Sequence, residues 1–164
     1  MKGNQLILLN GPSSAGKSTI AGELQRMLAL RGICAVTISI DEYMKIGTDE
    51  EIWEDDVFEV MPDMCRDITA ALTEGKWVIA DHVITSTRIY EALVDAAAGS
   101  GMLRVLVNCS LETLRKREKE RGNRYPGSAE ASFRYLYPKD GYDLEINSGE
   151  TGPAVSAERI MGLF

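Results

Sequence analysis

The segment that most constrains this chain is a glycine-rich loop near its N-terminus. Residues 11–18 read Gly-Pro-Ser-Ser-Ala-Gly-Lys-Ser, a complete G-x-x-x-x-G-K-[ST] phosphate-binding loop. An apolar run over residues 6–9 precedes the loop, and apolar residues at helical spacing follow it. A strand before and a helix after are the context in which this motif binds the phosphates of a nucleoside triphosphate. We therefore expect a strand, a phosphate loop and a helix in succession here.

The residue types of the loop indicate how it would hold an anion. Gly11 and Gly16 can adopt backbone conformations closed to residues with a Cβ, so the N–H groups of the loop can turn inward. A helix that begins near Lys17 adds unpaired N–H groups and the positive end of its dipole. Lys17 is expected to reach the β- and γ-phosphates, and the Ser18 hydroxyl to ligate Mg²⁺. The predicted nucleotide-binding residues of the loop are Gly11, Ser13, Ser14, Ala15, Gly16, Lys17, Ser18 and Thr19.

Strand and helix signals alternate along the rest of the chain. Such alternation predicts an α/β fold in three layers, with one parallel sheet flanked by helices on both faces. We expect the polar stretch 41–56 to form loop and short helix, the stretch 122–140 to be irregular, and a turn over 147–153. The predicted strands cover residues 6–10, 33–40, 77–80, 103–107 and 142–146, and the predicted helices cover 18–30, 57–73, 87–98, 111–121 and 154–161.

Length and charge limit the classes of partner. A chain of 164 residues with a formal net charge of −7 is expected to form one domain over residues 1–164. The acidic balance argues against a nucleic acid, which needs a basic face. Because we find no apolar run of the length of a membrane span and no pattern of the signal-peptide type, we expect neither kind of segment. Three distant cysteines without a C-x-x-C pair (Cys34, Cys65 and Cys109) predict a reduced, cytoplasmic protein.

Two acidic residues directly follow predicted strands. Asp41 comes after the second strand and Asp81 after the third. Because ligands of parallel α/β sheets bind beyond the carboxyl ends of the strands, both carboxylates are expected near the phosphate loop. One of them could hold Mg²⁺ and the other could accept the proton of an attacking hydroxyl. Asp81 is the candidate metal ligand, together with Ser18, and Asp41 the candidate for proton transfer. The alternative for either residue is helix capping.

A basic helix and a glycine predict a mobile lid over residues 121–138. Helical spacing places Arg117 and Arg121 on one face, and Gly122 frees the chain before Arg124. Arginines on a segment that can move suit the γ-phosphate of a bound nucleotide, so Arg121 and Arg124 are candidate catalytic residues. Arg117 could lie flat against an adenine ring. The alternative is a solvated helix with ion pairs, which we prefer for the remaining basic residues.

Candidates for the binding of a second substrate are Asp41, Tyr43, Trp53 and His82. Trp53, together with Phe58, could form apolar walls of a pocket, and His82, the one histidine of the chain, could bond a substrate hydroxyl or orient Asp81. Three tyrosines, at positions 125, 135 and 137, could line the pocket or only pack the lid. The acidic run 50–56 is either a solvated face or the rim of that pocket, and an acidic rim would favour a cationic or neutral acceptor over a phosphorylated one.

These motifs together resemble those of the chloramphenicol phosphotransferase-like kinases. The resemblance lies in the loop with its flanking Leu9-Asn10, in Asp41 and Asp81 after strands two and three, in Arg117-Glu118-x-x-Arg121-Gly122-x-Arg124 and in Tyr142-Asp143-Leu144-Glu145-Ile146. It implies a fold like that of the small nucleoside and nucleotide kinases, with a five-stranded parallel sheet and a lid. It also implies ATP as donor, Mg²⁺ as cofactor and a hydroxyl of a small molecule as acceptor.

The family pattern suggests roles for individual residues. Asp41 would be the general base, while Lys17, Arg121 and Arg124 would steady the transferring phosphoryl group. Thr151 and Gly152 would lie close to the adenine. Two alternatives stay open: a toxin-like kinase that phosphorylates a nucleotide sugar, and a P-loop nucleotide-binding module that is no kinase. The guanine motif and the D-x-x-G switch of common GTPases are absent from the sequence.

Overall fold

The computed structural model describes residue 3 and residues 5–164. In this part of the chain five strands and six α-helices alternate, beginning with the strand and helix on either side of the phosphate loop, apart from one extra helix before the last strand. The strands are β1 (Gln5–Asn10), β2 (Ala35–Ser39), β3 (Trp77–His82), β4 (Gly101–Asn108) and β5 (Leu144–Asn147), and the helices are α1 (Lys17–Leu30), α2 (Glu54–Thr73), α3 (Thr87–Ala96), α4 (Leu111–Arg121), α5 (Ser128–Tyr135) and α6 (Pro153–Met161), with a 3-10 turn at Ile40–Glu42.

All five strands are parallel and lie in the order β2-β3-β1-β4-β5. The central strand β1 has β3 on one side and β4 on the other, with Leu9 opposite both Asp81 and Val105. The chain first leaves β1 toward β2 and later crosses to β4, which makes the end of β1 a switch point of the sheet. The segments after β1, β2 and β3 therefore meet at one edge.

The core forms on both faces of the sheet because side chains alternate along a strand. In β1 the side chains of Leu6 and Leu8 enter one apolar cluster with residues of α2 and α3. Ile7 and Leu9 enter the other cluster, with residues of α1 and α6. All four side chains are fully buried, as expected for a parallel strand covered on both faces. The α/β fold predicted from the alternation of elements is confirmed.

The prediction for the segment before the last strand is wrong. The stretch 122–140 was expected to be irregular, but it contains α5. The Glu118 carboxylate, on α4, accepts hydrogen bonds from the N–H groups of Gly127 (3.1 Å) and Ala129 (2.8 Å). These N–H groups have no partner within a helix, so a side chain of the preceding helix caps α5. Sequence periodicity does not reveal a cap of this kind.

No helix in the described ranges combines the length and the apolar character needed to cross a membrane.

Candidate active site

The phosphate loop turns between β1 and α1 with two residues in the left-handed region. Gly16 has φ +92° and Ser14 has φ +70°. Glycine adopts this conformation readily, whereas a residue with a side chain is strained there by about 1–3 kcal/mol. The Ser14 hydroxyl is also buried and has no hydrogen-bond partner within the described part of the chain. A strained residue with an orphaned hydroxyl that lines a cavity is what a loop built to surround an anion would contain.

Gly11 is required for a different reason from the one predicted. Its φ does not lie in the left-handed range, so the expectation of an unusual backbone conformation is wrong for this residue. A Cβ added to Gly11 would lie 1.9 Å from the carbonyl oxygen of Val107, at the end of β4. Glycine is needed here because the backbone of a neighbouring strand passes directly against the loop.

Lys17 is buried at the start of α1. Its Nζ donates a hydrogen bond to the carbonyl oxygen of Pro12 at 2.9 Å, across the loop. Burial lowers the pKa of Lys17, while the negative charges of Asp81 and Asp41 oppose this shift. Lys17 lines the same cavity as both carboxylates that were predicted from the strand ends.

Ser18 and Asp81 are in direct contact. The Ser18 hydroxyl donates to Asp81 Oδ2 at 2.9 Å, so the two predicted metal ligands lie side by side. No group of three or more His, Cys, Asp or Glu side chains in the described chain could hold a metal ion. Mg²⁺ bound with a nucleotide takes most of its ligands from water and phosphate oxygens and one or two from the protein. A hydroxyl beside a carboxylate is a donor set of that kind.

Arg117 joins α4 to the phosphate loop and to the turn after β5. Its guanidinium donates to the carbonyl oxygens of Ser14 (3.5 Å) and Ala15 (3.3 Å), and to the hydroxyl (3.1 Å) and carbonyl oxygen (2.9 Å) of Ser148. The Ser148 hydroxyl in turn donates to Ala15 at 2.5 Å. Sequence reasoning missed Ser148. The rule that drew attention to Asp41 and Asp81, that polar residues at strand ends meet the ligand, also applies to Ser148, since it directly follows β5.

The turn that holds Ser148 also contains the two residues expected near the adenine. The Thr151 N–H donates to the carbonyl oxygen of Asn147 at 2.9 Å, and Gly152 directly precedes α6. Neither residue lines a cavity beside the loop. Their predicted contact with a base stays a prediction.

The predicted lid lies against the site. Arg124 donates to Asp41 Oδ2 at 2.8 Å, and its side chain is 12% exposed. Burial lowers the pKa of Arg124, opposed by the charge of Asp41. Farther along, the Ser132 hydroxyl on α5 accepts a hydrogen bond from the N–H of Ser13 at 3.0 Å. A side chain of the lid therefore contacts the backbone of the phosphate loop.

Two cavities meet at this edge of the sheet. The first, which we name the phosphate cavity, has a volume of about 280 Å³. The second, the outer cavity, has a volume of about 440 Å³. The residues common to both are Ser13, Asp41, Val83 and Arg124. The phosphate cavity is lined by Ser13, Ser14, Gly16, Lys17, Ser18, Thr19, Asp41, Asp81, Val83, Arg117, Arg121 and Arg124.

Of the four residues predicted to bind a second substrate, the structure places two at the outer cavity. Asp41 and Trp53 line it. Tyr43 does not, because its hydroxyl donates to Asp67 at 2.6 Å, in contact with α2. His82 does not either: it is fully buried, and its Nε2 lies 3.3 Å from the sulfur of Met61. Neither side chain lines the outer cavity, and the predicted contact of Tyr43 and His82 with a second substrate stays a prediction.

Of the other four aromatic residues considered for the pocket, two line the outer cavity and two do not. Tyr125 and Tyr135 line the outer cavity. Tyr137 packs edge-to-face on Tyr90, with ring centroids 5.9 Å apart. Phe58 lies beneath the guanidinium of Arg88, 4.0 Å from the ring centroid, and forms no wall of the cavity.

Known proteins of similar structure share this fold. An APS kinase, CysC of Mycobacterium tuberculosis, in complex with AMPPNP and APS, superposes with a TM-score of 0.78 at 16% sequence identity, over 99% of this chain and 98% of that chain. A gluconokinase from Sinorhizobium meliloti 1021 gives a TM-score of 0.69 at 14% identity, over 99% and 97% of the two chains. At this level of identity the comparison shows the fold alone, which is that of the P-loop kinases.

Comparison of the sequence with known proteins identifies the family as well as the fold. The Mycobacterium tuberculosis H37Rv protein named Putative O-phosphotransferase Rv2636 is 33% identical over 181 residues, covering 92% of this chain and 78% of that protein. The family described as chloramphenicol phosphotransferase-like protein matches residues 4–164. Together with the kinase fold, these similarities support a phosphotransferase. The chain belongs to the chloramphenicol phosphotransferase-like family.

Proposed function

We propose that this protein transfers the γ-phosphate of ATP to a hydroxyl group of a small molecule. The observation that carries the proposal is the position of Asp41 and Arg124. These two residues form an ion pair at 2.8 Å and line both cavities. A carboxylate and a guanidinium therefore lie where a phosphate in one cavity would meet a hydroxyl in the other.

The phosphate cavity supplies the nucleotide half of the site. The N–H groups of the loop and the start of α1 favour phosphate oxygens, and the orphaned Ser14 hydroxyl would gain a partner there. Lys17 would contact the β- and γ-phosphates. The base would lie toward Arg117 and the turn at Thr151 and Gly152. The APS kinase of the same fold was solved with AMPPNP bound, which supports ATP as the donor.

Ser18 and Asp81 would hold Mg²⁺, Ser18 directly and Asp81 directly or through water. When bound, the ion would neutralise negative charge on the phosphates. The contact between the two side chains at 2.9 Å keeps them beside Lys17, so the metal and the ammonium group would act on the same phosphates.

Transfer needs a proton acceptor and positive charge. Asp41 would accept the proton of the acceptor hydroxyl as its oxygen bonds to the γ-phosphorus and the bond to the β-phosphate oxygen breaks, with ADP as leaving group. Arg121 and Arg124 would stabilise charge on the transferring group. We infer that residues 121–138 act as a lid, since both arginines lie at its start and Ser132 connects it to the phosphate loop.

The test combines a panel of hydroxyl compounds, ADP release as readout, and two variants. Asp41→Asn should retain nucleotide affinity, because the loop and Lys17 are intact. It should lower turnover by about a hundredfold or more, as loss of a general base does. Glu42→Gln is the matched control, since the neighbouring carboxylate is exposed and lines neither cavity.

Three results would contradict the proposal. Normal turnover of Asp41→Asn would remove its role as base, and weak nucleotide binding by that variant would indicate a metal-holding role instead. Failure of every compound in a broad panel to accelerate ADP release would remove the transfer reaction itself.

A further inference from the structure

The outer cavity has walls of two kinds. Its interior is apolar, with Ile40, Met44 and Val57 among the lining residues. Three aromatic side chains also line it: Trp53, Tyr125 and Tyr135. Trp53 is 64% exposed and Tyr135 is 69% exposed. Large exposed aromatic side chains around an apolar cavity indicate that an apolar body binds there.

The charged groups of the outer cavity are unequally compensated. Arg124 is its one basic lining residue in the described chain, and it is paired with Asp41. Glu54 is held by Arg88, whose Nε donates to it at 2.7 Å, and hydrogen bonding from Arg88 lowers the pKa of Glu54 to about 2. These contacts neutralise most of the charge on the walls.

Two carboxylates remain uncompensated. Glu50 and Glu51 line the outer cavity, are exposed, and form no ion pair within the described ranges. Two adjacent negative charges beside an apolar cavity repel an anion and attract a cation. A phosphorylated or carboxylated acceptor would meet this repulsion and would find no free cation on the outer walls.

We infer that the acceptor of this enzyme is an amphipathic hydroxyl compound with an apolar body and a protonated amine. The inference rests on the proposed transfer reaction, since it identifies the outer cavity as the place of the acceptor. The apolar body contacts Trp53, Tyr125 and Tyr135, the ammonium group lies toward Glu50 and Glu51, and the hydroxyl points to Asp41.

Three compounds of similar size test the charge preference. They are 2-amino-1-phenylethanol, 1-phenylethane-1,2-diol and mandelate, which share a phenyl ring and a benzylic hydroxyl but differ in charge. Calorimetry on the whole chain with Mg²⁺ and AMPPNP gives their dissociation constants. We expect the amine to bind about three- to tenfold more tightly than the diol, since each exposed charge pair contributes modestly. Mandelate should bind more weakly than the diol by a similar factor.

Variants assign the preference to the two carboxylates. The double variant Glu50→Gln with Glu51→Gln should bind the amine and the diol with equal affinity, while its affinity for the diol stays as in the original protein. Asp49→Asn is the matched control, because Asp49 is the adjacent exposed acid but does not line the cavity. It should keep the full preference.

Equal or tighter binding of the diol or mandelate would overturn the inference, as would a preference that persists in the double variant. Absence of binding by all three compounds at millimolar concentration would also count against it. These results are distinguishable from failure of the transfer reaction. ADP release accelerated by the diol and mandelate as strongly as by the amine would leave the transfer reaction standing without the charge preference. Selective binding of the amine without ADP release would support the charge preference and contradict the transfer reaction.

Discussion

A single methyl group at Gly11 should disrupt the phosphate loop. In Gly11→Ala the new Cβ would lie 1.9 Å from the carbonyl oxygen of Val107 and 3.0 Å from its carbonyl carbon. A carbon–oxygen contact normally requires about 3.3 Å, so the two backbones must separate by about 1.4 Å. Neither partner is the end of a flexible side chain, and β1 and β4 are adjacent in the middle of the sheet.

The loss of stability in Gly11→Ala follows from the kind of clash that the new Cβ makes. Overpacking a core costs about 1–3 kcal/mol, and a clash between two backbones that no rotamer can relieve belongs at the upper end. We expect Gly11→Ala to lower the free energy of unfolding by about 3 kcal/mol, or Tm by about 6–12 °C for a chain of this length. Nucleotide affinity should fall as well, because the displaced segment is the loop itself.

Urea unfolding followed by circular dichroism measures the change, with Gly22→Ala as control. Gly22 lies in α1, and a Cβ there would meet nothing within 4 Å. Alanine should therefore stabilise the helix by about 0.5–1 kcal/mol. A Gly11→Ala protein as stable as the original, with unchanged ATP affinity, would refute the reasoning from the approach of Val107.

Further predictions concern the buried histidine, the lid, and the contacts of Arg117 and Ser148 with the phosphate loop, which we call the loop clamp. Burial lowers the pKa of His82 to about 3, so between about pH 3 and 6.5 this residue binds a proton in the unfolded chain but not in the folded one. Stability should fall with decreasing pH, by about 2 kcal/mol between pH 7.5 and 5, and His82→Asn should lose this dependence in urea titrations at the two pH values. Ser148→Ala removes the hydroxyl between Ala15 and Arg117 and should weaken ATP binding by about fivefold in calorimetry; unchanged affinity would show that the clamp is dispensable. Arg124→Ala should lower kcat by about a thousandfold, and a small loss would exclude its contact with the transferring phosphate.

Much of the fold was predictable because its signals are local. The phosphate loop is a contiguous motif, and the alternation of strands and helices follows from hydrophobic periodicity. The parallel sheet follows from that alternation, and Asp41 and Asp81 were found because the carboxyl ends of parallel strands meet at one edge. Each of these inferences needs only residues that are neighbours in the chain.

Other parts of the site depend on contacts between distant segments. Helix α5 is capped by Glu118 of the preceding helix, and Ser148 reaches Ala15 across 133 positions of sequence. The environment of His82 could not be read from its position directly after Asp81 in β3. Successive side chains of a strand point to opposite faces, so Asp81 reaches Ser18 while His82 faces α2 and Met61.

The sequence by itself determined the phosphate loop, the α/β architecture and the carboxylates at the strand ends, because each is encoded in short-range spacing. Only the tertiary structure decided that Gly11 makes room for Val107, that Arg117 holds the loop to Ser148, and that Asp41 lies between two cavities. Those facts arise where strands remote in sequence pack side by side, and the distances between them are set by the whole core.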